Sequence, residues 1–143
     1  MTESIEYKKG YKYQLYKTYF VQTDIHPPEN IHTELIDLTA GGLLTIRKHY
    51  AWDGPSGPTI DTPSFMRPSL IHDALYQLIR MGLLSIAFRE AVDRELKKDC
   101  KEDGMCSWYR SIVYWAVRKF AKSSALKENM RKVITAPKRK EIE

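Results

Sequence analysis

Apolar and polar residues alternate along much of the first 50 residues of this chain. A period of two is typical of a strand with one buried face and one exposed face. Three segments show it, at 11–25, 31–38 and 43–50, and the first is rich in Tyr, Phe, Val and Thr, which favour strands. Pro27–Pro28 and Gly41–Gly42 separate these segments, as turn residues do. The pattern predicts a small antiparallel sheet with no helix in it.

After residue 65 the pattern becomes helical. Apolar residues then recur every three or four positions, which is the spacing of one helix face. The first predicted helix has Pro68 in its opening turn, where proline costs no hydrogen bond, and it ends near Gly82. Its apolar positions are Leu70, Ile71, Ala74, Leu75, Leu78 and Ile79.

Two further helices and a short fourth one follow from the same period. Ser85 can cap the second helix, which Asp103–Gly104 ends. The third is predicted to begin near Ser107, and the fourth to run from Ala125 to Ile134. Their apolar stripes contain Phe88, Ala91, Val92 and Leu96 in the second helix, and Tyr109, Ile112, Val113, Ala116 and Phe120 in the third.

A segment rich in glycine and proline lies between the sheet and the first helix. Residues 51–63 contain two Gly and three Pro, which disfavour regular structure and predict a shaped loop. The chain is long enough for one domain, and the order of elements predicts the α+β class. The predicted parts are a single domain over 1–135 with a sheet (11–50), a loop (51–65) and helices (66–134), then a flexible basic tail at 136–143.

Composition is that of a globular protein, with 43% hydrophobic and 29% charged residues. No apolar run approaches the roughly 20 residues needed to cross a bilayer, and the first residues lack the pattern of a secretory signal. We therefore expect a protein that is not transmembrane and is made in a cytoplasm. Cys100 and Cys106 are too few for a disulfide framework and are expected to be free thiols.

The net charge of +5 is concentrated in the last third of the chain. Clusters such as Lys97–Lys98, Arg118–Lys119 and Lys138–Lys140 could face nucleic acid, an anionic lipid surface or an acidic protein. A solvated helical face followed by a loose tail is the alternative. No base-reading motif accompanies these charges, so nucleic acid is not expected as a partner.

Three polar residues interrupt the first helix at one point. His72 and Tyr76 are four positions apart and lie on one face, with Asp73 within reach of Tyr76. Histidine suits proton transfer near neutral pH, and a carboxylate is a hard oxygen ligand for a cation. His72 and Asp73 could be a base and a metal ligand, or a core histidine beside a solvated or capping acid.

The segments before and after this helix favour a functional site at His72 and Asp73. A loop rich in Gly and Pro can direct several backbone carbonyls to one point, and with Asp73 these would make a calcium-type site. Asp93 lies 21 residues beyond His72 on the next helix, and a short connection usually packs two helices antiparallel. Asp93 could then orient His72 as a general base. An ion pair of Asp93 with Arg89, one turn earlier, is the structural alternative.

These motifs resemble those of a known family. The string Trp52–Ser56, the string His72–Tyr76, and an Arg with Asp93 on the following helix resemble a family of small proteins of unknown function encoded mainly by tailed bacteriophages. That resemblance spans about residues 11–120. Residues 51–99 are also similar to the phospholipase A2 core, notably the disulfide-free form in parvovirus capsid proteins.

The phospholipase resemblance implies a role for each residue and a phospholipid membrane surface as partner. His72 would activate water, Asp93 would orient His72, and Tyr76 would be a supporting hydrogen-bond partner. Asp73 would bind calcium together with oxygens of the loop, and the calcium would stabilise the oxyanion of the attacked ester. The loop residues concerned are Trp52, Gly54 and Ser56, with Asp53 as a further carboxylate.

Two other functions are compatible with the same residues. In the first, the protein is a non-catalytic virion or tail component of a phage, its partners are phage structural proteins, and the polar residues lock the loop onto the helices. In the second, His72 and Asp73 belong to a metal-dependent phosphohydrolase, which needs more histidine ligands. The other histidines all fall in the predicted sheet region, at His26, His32 and His49. The expected location is the host cytoplasm during synthesis, with the virion as a further location.

Overall fold

In the described part of the chain, two small antiparallel sheets are followed by three α-helices, so the predicted α+β class is confirmed. This computed structural model describes residues 5, 7–8, 13–52, 63–120, 122 and 125. The strands are β1 (Tyr7–Lys8), β2 (Tyr13–Leu15), β3 (Tyr19–Gln22), β4 (Ile31–His32), β5 (Ile36–Leu38), β6 (Leu43–Ile46) and β7 (Ala51–Trp52). The helices are α1 (Pro63–Arg80), α2 (Arg89–Glu102) and α3 (Ser107–Phe120), with a 3-10 turn at Ile86–Phe88 before α2.

Within that class, the strands divide between two sheets instead of forming one. One sheet has the order β1-β2-β7 and the other β3-β6-β5-β4, and all neighbouring strands are antiparallel. The exposed residues 16–18 separate β2 from β3, and so interrupt the predicted strand over 11–25. Segment 31–38 is a tight hairpin, in which the Ile36 amide nitrogen donates a hydrogen bond to the Thr33 hydroxyl oxygen at 2.8 Å. Local turns thus make the strands shorter than the alternation predicts.

Helix α1 lies at the centre of the core. Between residues 65 and 79, only Asp73 and Gln77 are not buried. The helix begins at Pro63, so the prediction that Pro68 stands in its first turn is wrong. Proline at this depth removes one helical hydrogen bond, and the burial of α1 on most of its faces offsets that cost.

The ends of α1 and α2 follow the glycine signals in the sequence. Gly82 (φ 74°) and Gly104 (φ 88°) have the left-handed conformation that glycine adopts without strain. In each case the amide of the next residue donates to the carbonyl five residues earlier, at 3.0 and 2.9 Å. These hydrogen bonds satisfy carbonyls that a helix end leaves open.

The other predicted helix boundaries are confirmed in part. Ser85 caps the 3-10 turn, where its hydroxyl accepts the Ala87 amide at 3.2 Å, and α2 starts only at Arg89. Helix α3 starts at Ser107, as predicted. The predicted helix over 125–134, apart from its first residue, and the predicted tail lie outside the described residues.

Arg67 connects the start of α1 to strand β3 and to the end of α2. This buried guanidinium donates to the Tyr19 hydroxyl of β3 at 3.1 Å and to both oxygens of Asp103, just after α2, at 2.9–3.1 Å. Arg67 near the start of α1 therefore meets the end of α2, while Tyr76 later in α1 meets Arg89 at the start of α2. These pairings show that α1 and α2 pack antiparallel, as predicted.

The structure also gives the state of the two cysteines and the length and hydropathy of the described helices. Cys100 is buried and Cys106 is exposed, and both are free thiols, as expected. Among the described helices, none is both long enough and apolar enough to cross a membrane.

Candidate active site

His72 and Tyr76 lie one turn apart on the same face of α1, as their spacing predicts. Their ring centroids are 4.1 Å apart, and the ring planes are tilted by 34°. Both side chains are buried, with His72 only 7% exposed. This face of α1 is turned toward α2.

Asp93 on α2 contacts both side chains. His72 Nε2 lies 2.8 Å from Asp93 Oδ1, and the Tyr76 hydroxyl donates to the same oxygen at 2.6 Å. The Asp93 residue is completely buried. The predicted contact between His72 and Asp93 is confirmed, because antiparallel packing brings these positions together.

Arginine holds the second oxygen of Asp93. Arg118 of α3 donates from Nη1 to Asp93 Oδ2 at 2.9 Å, whereas Arg89 Nη2 is 4.0 Å from that oxygen. Arg89 donates instead to the Tyr76 hydroxyl at 3.1 Å and to the backbone carbonyls of Val117 and Arg118 at 3.1 and 2.8 Å. The predicted ion pair within α2 is therefore a long contact, and the main role of Arg89 is to tie the end of α3 to α2.

Sequence analysis missed Arg118. It stands 25 residues after Asp93 on another helix, and no local pattern connects the two. Its position in the last turn of α3 is common for a basic residue, which there stabilises the helix dipole. Only the packing of α3 against α2 brings its guanidinium to Asp93.

The groups around Asp93 decide its charge. Burial alone would raise the pKa of Asp93, because a low dielectric disfavours the charged form. Hydrogen bonds from His72, Tyr76 and Arg118 act against burial and lower the pKa below its ordinary value. Burial, and then the hydrogen bond to Asp93 and its charge, raise the pKa of Tyr76. The site thus holds a carboxylate and a neutral phenol at neutral pH.

An ionised Asp93 also determines the tautomer of His72. A carboxylate can only accept, so the proton of the shared hydrogen bond sits on Nε2 of His72. In the neutral ring, Nδ1 is then the basic nitrogen. Among the described residues, none donates a hydrogen bond to Nδ1. A histidine with one nitrogen held by an acid and the other available is the arrangement of a general base.

Trp52, at the end of β7, contacts α1. It is 3% exposed, its Nε1 donates to the Ser69 hydroxyl at 3.1 Å, and its ring lies 5.5 Å from that of Tyr13. Trp52 is thus buried, as Tyr76 is. The other predicted loop residues, Asp53, Gly54 and Ser56, lie outside the described residues.

Asp73, the predicted metal ligand, is half-buried on α1 beside His72. In the part of the chain that the structure describes, no three His, Cys, Asp or Glu side chains form a group that could bind a metal. A calcium site made of one carboxylate and several loop carbonyls is not such a group, so the calcium site stays a prediction. His32 contacts Asp37 at 2.7 Å within the second sheet, and the phosphohydrolase alternative gains no support from the described residues.

A second pair of buried acids lies further along α2. Glu95 and Asp99 are each 3% exposed, and the buried oxygens Glu95 Oε2 and Asp99 Oδ2 accept no hydrogen bond. Glu95 Oε1 accepts the Asp24 amide at 2.8 Å. Burial, and then the charge of Glu95, raise the pKa of Asp99 to about 8. Sequence analysis missed this pair, although its spacing continues the apolar stripe that contains Val92 and Leu96.

Three comparisons with known proteins give no match from which a role could be transferred. The chain matches no protein-family model, no curated protein and no solved structure. Any statement of function therefore rests on the geometry and chemistry of the site itself and on the resemblance of its motifs given above.

Proposed function

We propose that the protein is a phage-encoded, phospholipase A2-like hydrolase in which His72 activates water for attack on a lipid ester. One observation carries the proposal: His72 Nε2 lies 2.8 Å from the buried, ionised Asp93. That contact leaves Nδ1 as the basic nitrogen of the ring. The choice of a lipid ester comes from the resemblance of residues 51–99 to the phospholipase A2 core.

The chain's own residues account for the proton transfers. His72 Nδ1 takes a proton from water as the water oxygen forms a bond to the ester carbonyl carbon. Asp93, held by Tyr76 and Arg118, stabilises the imidazolium without having to move. The imidazolium then gives the proton to the departing alcohol oxygen as the ester bond breaks, which restores neutral His72.

The donors expected beside His72 are oxygens, which suit calcium. Asp73 would hold the ion with carbonyls of the loop that Trp52 begins, and Asp53 or waters would complete a set of about six to eight oxygens. Calcium bound there would supply Lewis-acid stabilisation of the ester oxyanion. The partial exposure of Asp73 agrees with a ligand at the wall of a site.

The direct test measures calcium-dependent release of fatty acid from phospholipid vesicles. We expect release by the wild type and a loss of about a hundredfold or more in His72→Gln, because the base is removed. His26→Gln is the matched control, since His26 is exposed and not part of the site. Absence of release by the wild type, with calcium present, would contradict the proposal.

Asp73→Asn tests the calcium site separately. We expect it to weaken calcium binding in calorimetric titration and to abolish release, while the melting temperature changes little. A wild type that binds no calcium, together with a clear melting shift in Asp73→Asn, would instead indicate a structural residue. That shift would correspond to about 1–3 kcal/mol for a disrupted buried network.

A non-catalytic virion or tail component is the second candidate. The Asp93 cluster supports it because it joins residues of three helices: His72 and Tyr76 on α1, Arg89 on α2 and Arg118 on α3. Such a network can exist for rigidity alone. Under this function, His72→Gln would lower the melting temperature, the wild type would release no fatty acid, and mass spectrometry would find the protein in purified virions.

A further inference from the structure

Helix α3 presents an apolar face to solvent. Trp108, Ile112 and Trp115 follow each other at spacings of four and three residues, so they lie on one side of the helix. They are 68%, 43% and 52% exposed. Val113 and Val117, which are buried, lie on a different side that faces the core. We call the exposed side, formed by Trp108, Ile112 and Trp115, the tryptophan face.

Core packing does not explain the tryptophan face. Large apolar side chains that gather on one surface usually mark a site of interaction. Two of the three tryptophans of the chain are on this face, and the third, Trp52, is buried. The face therefore suits a partner that can take up two indole rings.

The charged residues of the helix that carries the tryptophan face are all basic. Between residues 104 and 127 the sequence contains five basic residues and no acidic one. Lys119 lies over the ring of Trp115, with its Nζ 5.6 Å from the ring centroid. Lys122, just after the helix, is exposed. A complementary partner must accept indole rings and carry negative charge along the same surface.

We propose that the tryptophan face of α3 binds the surface of an anionic phospholipid bilayer. Indole rings prefer the boundary between headgroups and acyl chains, and adjacent lysines are attracted to anionic headgroups. The choice of phospholipid over an acidic protein rests on the proposed lipid-ester function, whereas the face itself is defined by exposure and charge. Helix α3 also supplies Arg118 to Asp93, so one helix carries both the docking face and a residue that holds the site.

The tryptophans make docking directly observable. We would use the His72→Gln protein, so that lipid is not consumed, with vesicles of phosphatidylcholine alone or with phosphatidylglycerol added. We expect a blue shift of tryptophan emission with phosphatidylglycerol vesicles, since the two exposed rings enter an apolar boundary. We expect the shift to shrink as salt is raised. No shift on anionic vesicles would overturn the proposal.

Sedimentation with vesicles then assigns the docking to α3. The double variant Trp108→Ser/Trp115→Ser should bind at least about tenfold more weakly, because two apolar anchors are lost. Phe20→Ser is the matched control, since Phe20 is 54% exposed on β3, and it should bind as before. Lys119→Glu should weaken binding to the anionic vesicles. Unchanged binding by the double variant would overturn the assignment.

Other occupants of the face would give different results. A dimer in sedimentation velocity that the double variant abolishes would mean that a second copy covers the face. Tighter binding to an oligonucleotide than to anionic vesicles, lost in the same variant, would mean nucleic acid. Either result overturns the lipid proposal.

The experiments can contradict membrane docking without contradicting lipid hydrolysis, and the other way round. Vesicle binding without fatty acid release from the wild type would leave docking in place and remove the proposed function. Suppose instead that Trp108→Ser/Trp115→Ser releases fatty acid and binds vesicles as the wild type does. That result would contradict docking through the tryptophan face and leave the proposed hydrolysis in place.

Discussion

Asp93 and Asp99 lie six residues apart on α2, and both are buried, but their surroundings are opposite. Asp93 has hydrogen-bond donors on both oxygens, from α1 and α3. Asp99 has one buried oxygen without a hydrogen bond, and its near neighbour is another acid, Glu95. The pKa of Asp93 is lowered, while that of Asp99 is raised to about 8.

The comparison shows that partners, more than depth, decide the charge of a buried acid. Burial pushes both pKa values upward by the same mechanism. At Asp93, donors and positive charge outweigh burial. At Asp99, the Glu95 charge adds to burial, and the opposing charge of Arg67 does not compensate. Asp93 is thus an ionised anchor, whereas Asp99 holds a proton at neutral pH.

The largest expected effect is that of Asp93→Asn. The variant removes the charge that compensates Arg118 and the acceptor of His72 and Tyr76. We expect a loss of ~3–5 kcal/mol in the free energy of unfolding at pH 7, measured by urea denaturation. A loss well below ~1 kcal/mol would mean that the cluster does not hold the three helices together.

Asp99→Asn should have the opposite sign. An amide mimics the protonated acid and can donate to Glu95, so we expect a gain of ~1–3 kcal/mol at pH 9 and little change at pH 4. Because the folded pKa of Asp99 lies above the unfolded value, its contribution to wild-type stability is full below about pH 4 and is lost as the pH rises toward 8. Urea midpoints of both proteins across this range would measure the difference. Equal pH profiles would show that Asp99 is not protonated in the fold.

Arg118→Gln tests whether Arg118 keeps Asp93 ionised. We expect a loss of ~1–2 kcal/mol at pH 7, because His72 and Tyr76 still bond to the other oxygen. Since Asp93 has a lowered pKa, its stabilising effect is present above about pH 4 and is lost as the pH falls. Without Arg118 that loss should begin at a higher pH. If the free energy of unfolding of the variant falls at the same low pH as that of the wild type, Arg118 does not keep Asp93 ionised.

The smallest effect should come from Arg94→Gln. Arg94 pairs with Glu90 at 2.7 Å on the exposed side of α2, and both side chains are more than half exposed. Such pairs contribute about 0.5 kcal/mol or less, because water and salt screen them. The variant is the control for the two buried acids. A loss as large as that of Arg118→Gln would contradict the view that burial gives the Asp93 contacts their importance.

Part of the candidate site could be predicted from sequence because it depends on local spacing. His72 and Tyr76 share a face of α1 through helix periodicity alone. Asp93 could be paired with His72 because a short connection implies antiparallel helices. Glu95 and Asp99 occupy stripe positions where apolar residues are expected, but sequence analysis predicted neither the pair nor its burial.

The sequence by itself determined the α+β order, the glycine ends of α1 and α2, and the start of α3, because these depend on residues close together in the chain. The tertiary structure alone decided the division of the strands between two sheets and the depth of Pro68 within α1. It also decided that Arg118 compensates Asp93 while one buried oxygen of Asp99 accepts no hydrogen bond. Sequence patterns report which side of a helix is apolar, whereas the charge of a buried acid depends on which side chains of distant elements reach it, and packing sets that.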